Sequence, residues 1–367
     1  MTIAPLPYDT GTAGMVQLLT PDGELREHPE HALDLSDDEL RGLYRDLVMV
    51  RRIDSEAVAL QRQGELGLWA PALGQEAAQV GAGRAMRERD FAFPTYREHG
   101  VAWCRGVDPV SLLGLFRGTS HGGWDPHERG FAPYAIVLGA QVLHAVGYAM
   151  GVQRDVAIGA DGEAVLACFG DGASSQGDVN EAFVWAGVMA APVVFFCQNN
   201  QWGISTPTDR QTRVPLHRRA DGFGFPGIRV DGNDVLATLA VTRTALDLAR
   251  EGHGPTLVEA FTYRMGAHTT SDDPTRYRTA DELAGWQERD PLVRMRRFLD
   301  REQLADADWH AGLNADADAL AARIRAGCLA LPDPEPLSIF DRVYSEQTAE
   351  LADQRAAHAS YLAGFTS

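Results

Sequence analysis

The chain has few cysteines, no long apolar run and a shortage of positive charge, and each deficit excludes something. Its four cysteines, Cys104, Cys168, Cys197 and Cys328, lie far apart and form no CxxC pair. That spacing argues against a disulfide framework and against a thiolate zinc site. Cys168 and Cys197 fall inside apolar runs and are expected in the core. No window approaches the roughly 20 unbroken apolar residues that a membrane helix needs. The N-terminal "MTIAPLPYDTGTAG" lacks a basic segment followed by an apolar one, so a cytoplasmic location is expected rather than secretion. Lys and Arg total 33 against 51 Asp and Glu, a formal net charge of −18. A surface of that sign repels nucleic acid and anionic membrane, because binding to either draws on a cationic face. The short clusters at Arg51, Arg52, Arg218 and Arg219 are expected on solvated faces or subunit contacts.

What is present is the composition of a folded α/β protein. Of the 367 residues, 45% are hydrophobic and 23% charged, a balance that is neither disordered nor membrane-spanning. Residues 1–35 are rich in Pro, Gly and polar residues and read as an arm. Ser36 and Glu39 form a capping-box pair ahead of a helix whose apolar face carries Leu40, Leu43, Tyr44, Leu47 and Val48. "GQEAAQVGAGRAM" and "GAQVLHAVGYAMGV" are helical patterns built from Ala and Gly, which favour close backbone approach. Gly147 and Gly151 of the second lie one turn apart and suit either a buried contact within the domain or a subunit interface.

From residue 164 the pattern becomes strand, helix, strand: "AVLACF", "GDVNEAFVWAGVMA", then "PVVFFCQ". Runs apolar on both faces predict a parallel sheet covered by helices on each side. Two further strands, "GIRVDGND" and "PTLVEAFTYR", flank the helical "VLATLAVTRTALDLAREG". A charged helical region follows Pro274. The expected organisation is an arm (1–35), one large domain (36–345) and a helical C-terminal tail (346–367).

Ligands of open parallel sheets bind beyond the carboxyl ends of the strands. Asp171, within "FGDGASSQGD", follows the first strand of this unit, and Asn199 and Asn200 follow the second. One carboxylate and one amide oxygen at a shared edge suit magnesium, a hard ion that completes its octahedron with a carbonyl, water and phosphate oxygens. The glycines around Asp171 let a diphosphate approach backbone amides. A polar turn is the plain alternative for "GDG" alone, but the second loop favours a magnesium-bound diphosphate.

Several separate stretches, "LGQEAAQVG", "FPTYREHG", "LGAQVLHAVGYA", "FGDGASSQGD", "FFCQNNQWGIST", "IRVDGNDV" and "TYRMGAHTTSDDPTRYR", together resemble one family. It is that of the alpha subunits of heterotetrameric thiamine diphosphate-dependent 2-oxoacid dehydrogenases, over roughly residues 36–345. The resemblance implies a thiamine diphosphate-binding fold and Mg2+ held by the side chains of Asp171 and Asn200 and by the backbone carbonyl of Trp202. It places Tyr96, Arg97, Gly172 and Ala173 at the diphosphate, Ile136 and Leu138 beside the aminopyrimidine, and His268 as the catalytic residue that also reaches the cofactor. Gln198 stands where some relatives have arginine, and the Arg117–Tyr134 loop departs from the usual pattern. Thr269 and Ser271 lie in a loop that is phosphorylated in some relatives.

The resemblance further implies that the carboxylate activating the cofactor belongs to a separate beta subunit, so this chain alone should be inactive. The expected assembly is α2β2, delivering acyl groups to a lipoyl-bearing dihydrolipoyl acyltransferase. Branched-chain 2-oxoacids are the first expectation for substrate and pyruvate the second. A noncatalytic paralogue and a magnesium-dependent phosphohydrolase are the competing classes.

Overall fold

The computed structural model describes residues 14–157 and 162–365. Five strands, β1 (Phe91–Phe93), β2 (Val165–Gly170), β3 (Val193–Asn199), β6 (Gly227–Asp231) and β7 (Thr256–Phe261), pair in parallel in the order β1-β2-β3-β7-β6. Between β3 and β6, the two-residue strands β4 (Trp202–Gly203) and β5 (Thr206–Pro207) form a small antiparallel ribbon.

Successive side chains of a strand point to opposite faces, so a sheet covered on both sides needs strands that are apolar throughout. Val194 and Phe196 of β3 join Leu166, Cys168, Val258 and Ala260 in one cluster. Val193, Phe195 and Cys197 join Val165, Ala167 and Phe169 in another. Each fully buried Val, Leu or Phe contributes about 1.5–3 kcal/mol relative to exposure. Cys168 and Cys197 are fully buried, as their apolar neighbours imply.

The helices follow in chain order. α1 (Asp37–Arg62) opens with the expected capping box, Ser36 Oγ accepting from the Glu39 amide while the Glu39 side chain accepts from the Ser36 amide. α2 (Glu76–Ala85), α3 (His99–Cys104), α4 (Pro109–Arg117) and α5 (Pro126–Arg129) precede α6 (Ala140–Ala157). α7 (Gly177–Met189) connects β2 to β3, and α8 (Val235–Arg250) connects β6 to β7. These two crossovers step in opposite directions along the sheet. Because both share one hand, they put their helices on opposite faces, α7 with α6 on one and α8 with α2 on the other. α9 (Ala280–Gln287), α10 (Pro291–Arg301), α11 (Ala307–Leu329) and α12 (Ala349–Ala363) complete the chain.

The Ala- and Gly-rich helices divide in purpose. A Cβ on Gly81 of α2 would lie 2.7 Å from Thr238 Cβ of α8, so that glycine permits a close helix contact. Gly147 and Gly151 of α6 are exposed, with nothing within 4 Å of an added Cβ, so no buried contact among the described residues uses them. Arg51 also departs from expectation. Instead of a solvated face it occupies a mostly buried bridge, 2.5 Å from Glu76 and 3.0 Å from Asp290. Within the segment read as an arm, Val16 bridges the β6 edge and Leu18 and Leu19 are buried. Asp234 Oδ2 accepts from both of their amides, at 2.7 and 2.6 Å.

Candidate active site

The β2–β3 register pairs Gly170 with Gln198, so Asp171 and the paired asparagines leave the sheet side by side. Asp171 is 2% exposed, and its Oδ2 accepts from Gln211 Nε2 at 2.9 Å and from Thr208 Oγ1 at 3.4 Å. Burial pushes its pKa up to about 6, against the opposing hydrogen bond from Gln211 and the charge of Arg264. The two asparagines part company. Asn199 turns into the protein, donating to Glu259 Oε1 at 2.7 Å and accepting from the Gln201 amide at 3.1 Å. Asn200 faces the cavity, its Oδ1 accepting from the Trp202 amide at 3.2 Å and its Nδ2 donating to Gln75 Oε1 at 3.0 Å.

Beyond this edge lies a cavity of about 560 Å³. Tyr96, Arg97, Ile136, Leu138, Asp171, Gly172, Ala173, Asn200, Trp202 and His268, every site residue expected from the sequence, line it. Backbone is close-packed at the turn after Asp171: a Cβ on Gly172 would approach Gly203 Cα to 3.2 Å. His121, His127 and His144 are exposed, and His99 is a core residue stacked on Trp69 at 4.0 Å.

Arg97 and His268 line the same cavity. Arg97 Nη2 donates to the His268 carbonyl at 2.8 Å and lies 3.2 Å from its Nδ1, and Arg264 Nη1 lies 3.4 Å from the same nitrogen. Guanidinium groups can only donate, so Nδ1 is the acceptor and the imidazole proton sits on Nε2. Burial, then the charges of Arg97 and Arg264, lower the His268 pKa to about 4. Asp272 Oδ2 accepts from the His268 amide at 2.8 Å and from Tyr277 Oη at 2.5 Å, pinning the loop.

A family model described as "Dehydrogenase E1 component" matches residues 44–321. The chain belongs to this family. It is 46% identical over 342 residues to the 3-methyl-2-oxobutanoate dehydrogenase subunit alpha of Mycobacterium tuberculosis (strain ATCC 25618 / H37Rv), covering 93% of this chain and 92% of that one. It is 37% identical over 345 residues to the pyruvate dehydrogenase E1 component subunit alpha of Staphylococcus aureus (strain COL), covering 93% and 91%. As an E1 alpha chain it is part of a 2-oxoacid dehydrogenase's decarboxylating component, and membership implies thiamine diphosphate.

This E1 chain's residues fit that cofactor's anionic end, and their oxygens would suit a hard cation beside it. Among the described residues no three His, Cys, Asp or Glu side chains group as a metal site. What the cavity offers instead is a set of one buried carboxylate, one amide and one carbonyl, all hard oxygens that could hold a cation. Water and phosphate oxygens would have to complete it. The Trp202 carbonyl also accepts from Arg264 Nη1 at 3.0 Å, which leaves its second lone pair for a ligand. On the donor side, Gln75 Nε2 is buried with no hydrogen-bond partner among the described residues.

Sequence reasoning missed Gln75, Thr208, Gln211 and Arg264. Gln75 stood within a quoted motif, but nothing local said that its amide would meet Asn200, 125 positions away. Arg264 is fully buried and donates to the Ile204 carbonyl at 2.7 Å and to Tyr277 Oη at 2.8 Å. That clamp holds Ile204 at φ 58°, a left-handed conformation costly for a β-branched residue. Gln198 lines the cavity with its amide engaged, donating to Glu98 Oε1 at 2.6 Å and accepting from Gln79 at 3.1 Å.

Proposed function

We propose that the chain is the alpha subunit of a branched-chain 2-oxoacid dehydrogenase, acting on 3-methyl-2-oxobutanoate and its kin with thiamine diphosphate and Mg2+. The observation that carries this reading is the meeting of Asp171 and Asn200 at adjacent strand ends, in one cavity with Arg97 and His268. The 46% identity to the mycobacterial subunit favours branched-chain acids over pyruvate, whose named relatives stand at 37%.

In this reading Asp171, Asn200 and the Trp202 carbonyl hold the ion, and Arg97 with the amides of Gly172 and Ala173 takes the diphosphate. Ile136 and Leu138 pass the aminopyrimidine with their backbone. His268 presents Nε2–H to an anionic oxygen of substrate or cofactor, a role for a neutral donor rather than a cation. The bound cofactor would supply the carbanion chemistry of decarboxylation. Arg97 Nη1 and Nη2 are engaged by the Pro71 and His268 carbonyls, so it would meet phosphate through its charge and its remaining N–H groups.

The same proposal includes a beta subunit, an α2β2 assembly and a lipoyl-bearing acyltransferase as acceptor. The outer faces of α6 and α7 support the first of these. Val184, Trp185, Val188 and Met189 are exposed on α7, and Gly147 and Gly151 present bare backbone on α6. An apolar helix face of this kind marks a protein contact. A cytoplasmic location fits the four free cysteines, and no helix among the described residues is long and apolar enough to cross a membrane. The division at residue 345 is proposed on packing, whereas packing marks none at residue 35, because Val16, Leu18 and Leu19 join the main core. Only Leu351 of α12 is buried, while α1, α10 and α11 all contribute to the main core.

The test is coexpression with the beta subunit followed by decarboxylation with an artificial electron acceptor. Preference for 3-methyl-2-oxobutanoate over pyruvate is the expected result. A strong preference for pyruvate would overturn the substrate assignment and leave the enzyme class standing.

A further inference from the structure

Gln75 occupies a position that its residue type does not explain. It is the N-cap of α2, where Ser, Thr, Asp or Asn would satisfy the exposed amides of the first turn. Its side chain makes no capping hydrogen bond. The side chain is fully buried, one end of its amide meets Asn200, and the other end finds no partner among the described residues. A buried unpaired donor costs about 1–3 kcal/mol. An apolar residue would therefore serve the fold at least as well, and such local conflicts gather at functional sites.

The turn before it is built to aim this side chain. Gly74 has φ +93°, and a Cβ there would lie 2.5 Å from the Tyr263 carbonyl, so only glycine fits. The Gly74 amide donates to Glu76 Oε2 at 2.9 Å, and its carbonyl accepts from Thr262 Oγ1 at 2.9 Å. Glu76 is itself bridged to Arg51. The turn is thereby tied to α1, α2 and the end of β7, and the Gln75 amide is held against Asn200.

The orientations then follow in sequence. The Trp202 amide can only donate, so the Asn200 atom it meets is Oδ1. Asn200 Nδ2 must then point the other way, and it needs an acceptor. Gln75 Oε1 is that acceptor, at 3.0 Å. Without it Asn200 Nδ2 would be left unpaired, and only the 3.2 Å bond from the Trp202 amide would hold the oxygen in place.

We propose that Gln75 is a positioning residue: it holds the Asn200 amide with its oxygen toward the magnesium of the cofactor site. The inference rests on the function proposed above. Partners that orient a metal ligand typically change metal affinity by about 10- to 100-fold when removed.

The experiment uses the coexpressed αβ complex and follows quenching of tryptophan fluorescence by thiamine diphosphate as Mg2+ is varied. Trp202 lines the cavity and serves as the reporter. Wild type should show saturable, Mg2+-dependent quenching; its absence would overturn the cofactor reading and this proposal together. Gln75→Met should raise the Mg2+ concentration for half-saturation about 10- to 100-fold, with the thermal midpoint of the cofactor-free complex close to wild type. Gln75→Glu keeps an acceptor and should stay within about threefold of wild type. Wild-type quenching with an unchanged Gln75→Met would overturn the positioning role alone. So would a Gln75→Glu complex as impaired as Gln75→Met, and that arm stands even if the methionine variant fails to fold.

Discussion

Arg97 and His268 meet at two points: the guanidinium donates to the His268 carbonyl at 2.8 Å and lies 3.2 Å from its ring Nδ1. One contact fixes where the loop sits and the other fixes which nitrogen carries the proton. The His268 pKa of about 4 follows from burial first and from Arg97 and Arg264 after it. Nitrogen NMR of the cofactor-free protein should find His268 neutral with its proton on Nε2 at pH 7 and protonating near pH 4. Arg97→Met removes a positive neighbour and should move that titration upward, toward the ordinary 6.5. The linkage has a definite sign. The unfolded chain binds the proton first as pH falls, so His268 leaves stability intact above about pH 6.5 and erodes it between there and pH 4. An unmoved titration in Arg97→Met would show that burial and Arg264 set the shift without Arg97.

Arg264 ties three segments together through the Trp202 and Ile204 carbonyls and the Tyr277 hydroxyl. Arg264→Met would leave buried carbonyls without donors, at a cost on the order of 2–5 kcal/mol. Ile204, released from its left-handed conformation, should relax toward ordinary φ. Urea unfolding measures the loss, and hydrogen exchange should rise at residues 202–206 and 268–278. Exchange that rises uniformly over the whole chain would point to global destabilisation instead.

The outer face of α7 carries Val188 at 78% exposure beside Trp185 at 48%. Val188→Asp adds charge to solvent in the isolated chain and should leave its stability within about 0.5 kcal/mol. Buried against a beta subunit, the same carboxylate would be costly. Light scattering of the coexpressed pair should therefore show wild type as a tetramer and Val188→Asp as separated chains. A variant that still assembles would move the interface elsewhere.

Legibility in the sequence followed how local each signal was. β2, α7 and β3 were readable because apolar runs and an Ala-rich helix announce themselves within a dozen residues, and the βα rule then brought Asp171 and Asn200 to one edge. The α1 cap was readable because Ser36 and Glu39 are three residues apart. β1 escaped because three residues, Phe91–Phe93, carry no usable period, and the β4–β5 ribbon because each strand has two. Arg51 was misread because its partners, Glu76 and Asp290, are brought in by packing. Gln75, Gln211 and Arg264 share that cause, since each acts through a contact that no spacing rule encodes.

The most direct test of the proposed magnesium clamp is calorimetric titration of thiamine diphosphate into the coexpressed αβ complex, with Mg2+ or with a chelator, for wild type and Asp171→Ala. Losing the only carboxylate in the proposed ligand set should cost at least about 3 kcal/mol, over a hundredfold in affinity. Wild type should bind tightly only with Mg2+, and Asp171→Ala should lose that binding. Wild-type affinity in Asp171→Ala, or binding indifferent to the metal, would contradict the proposed clamp.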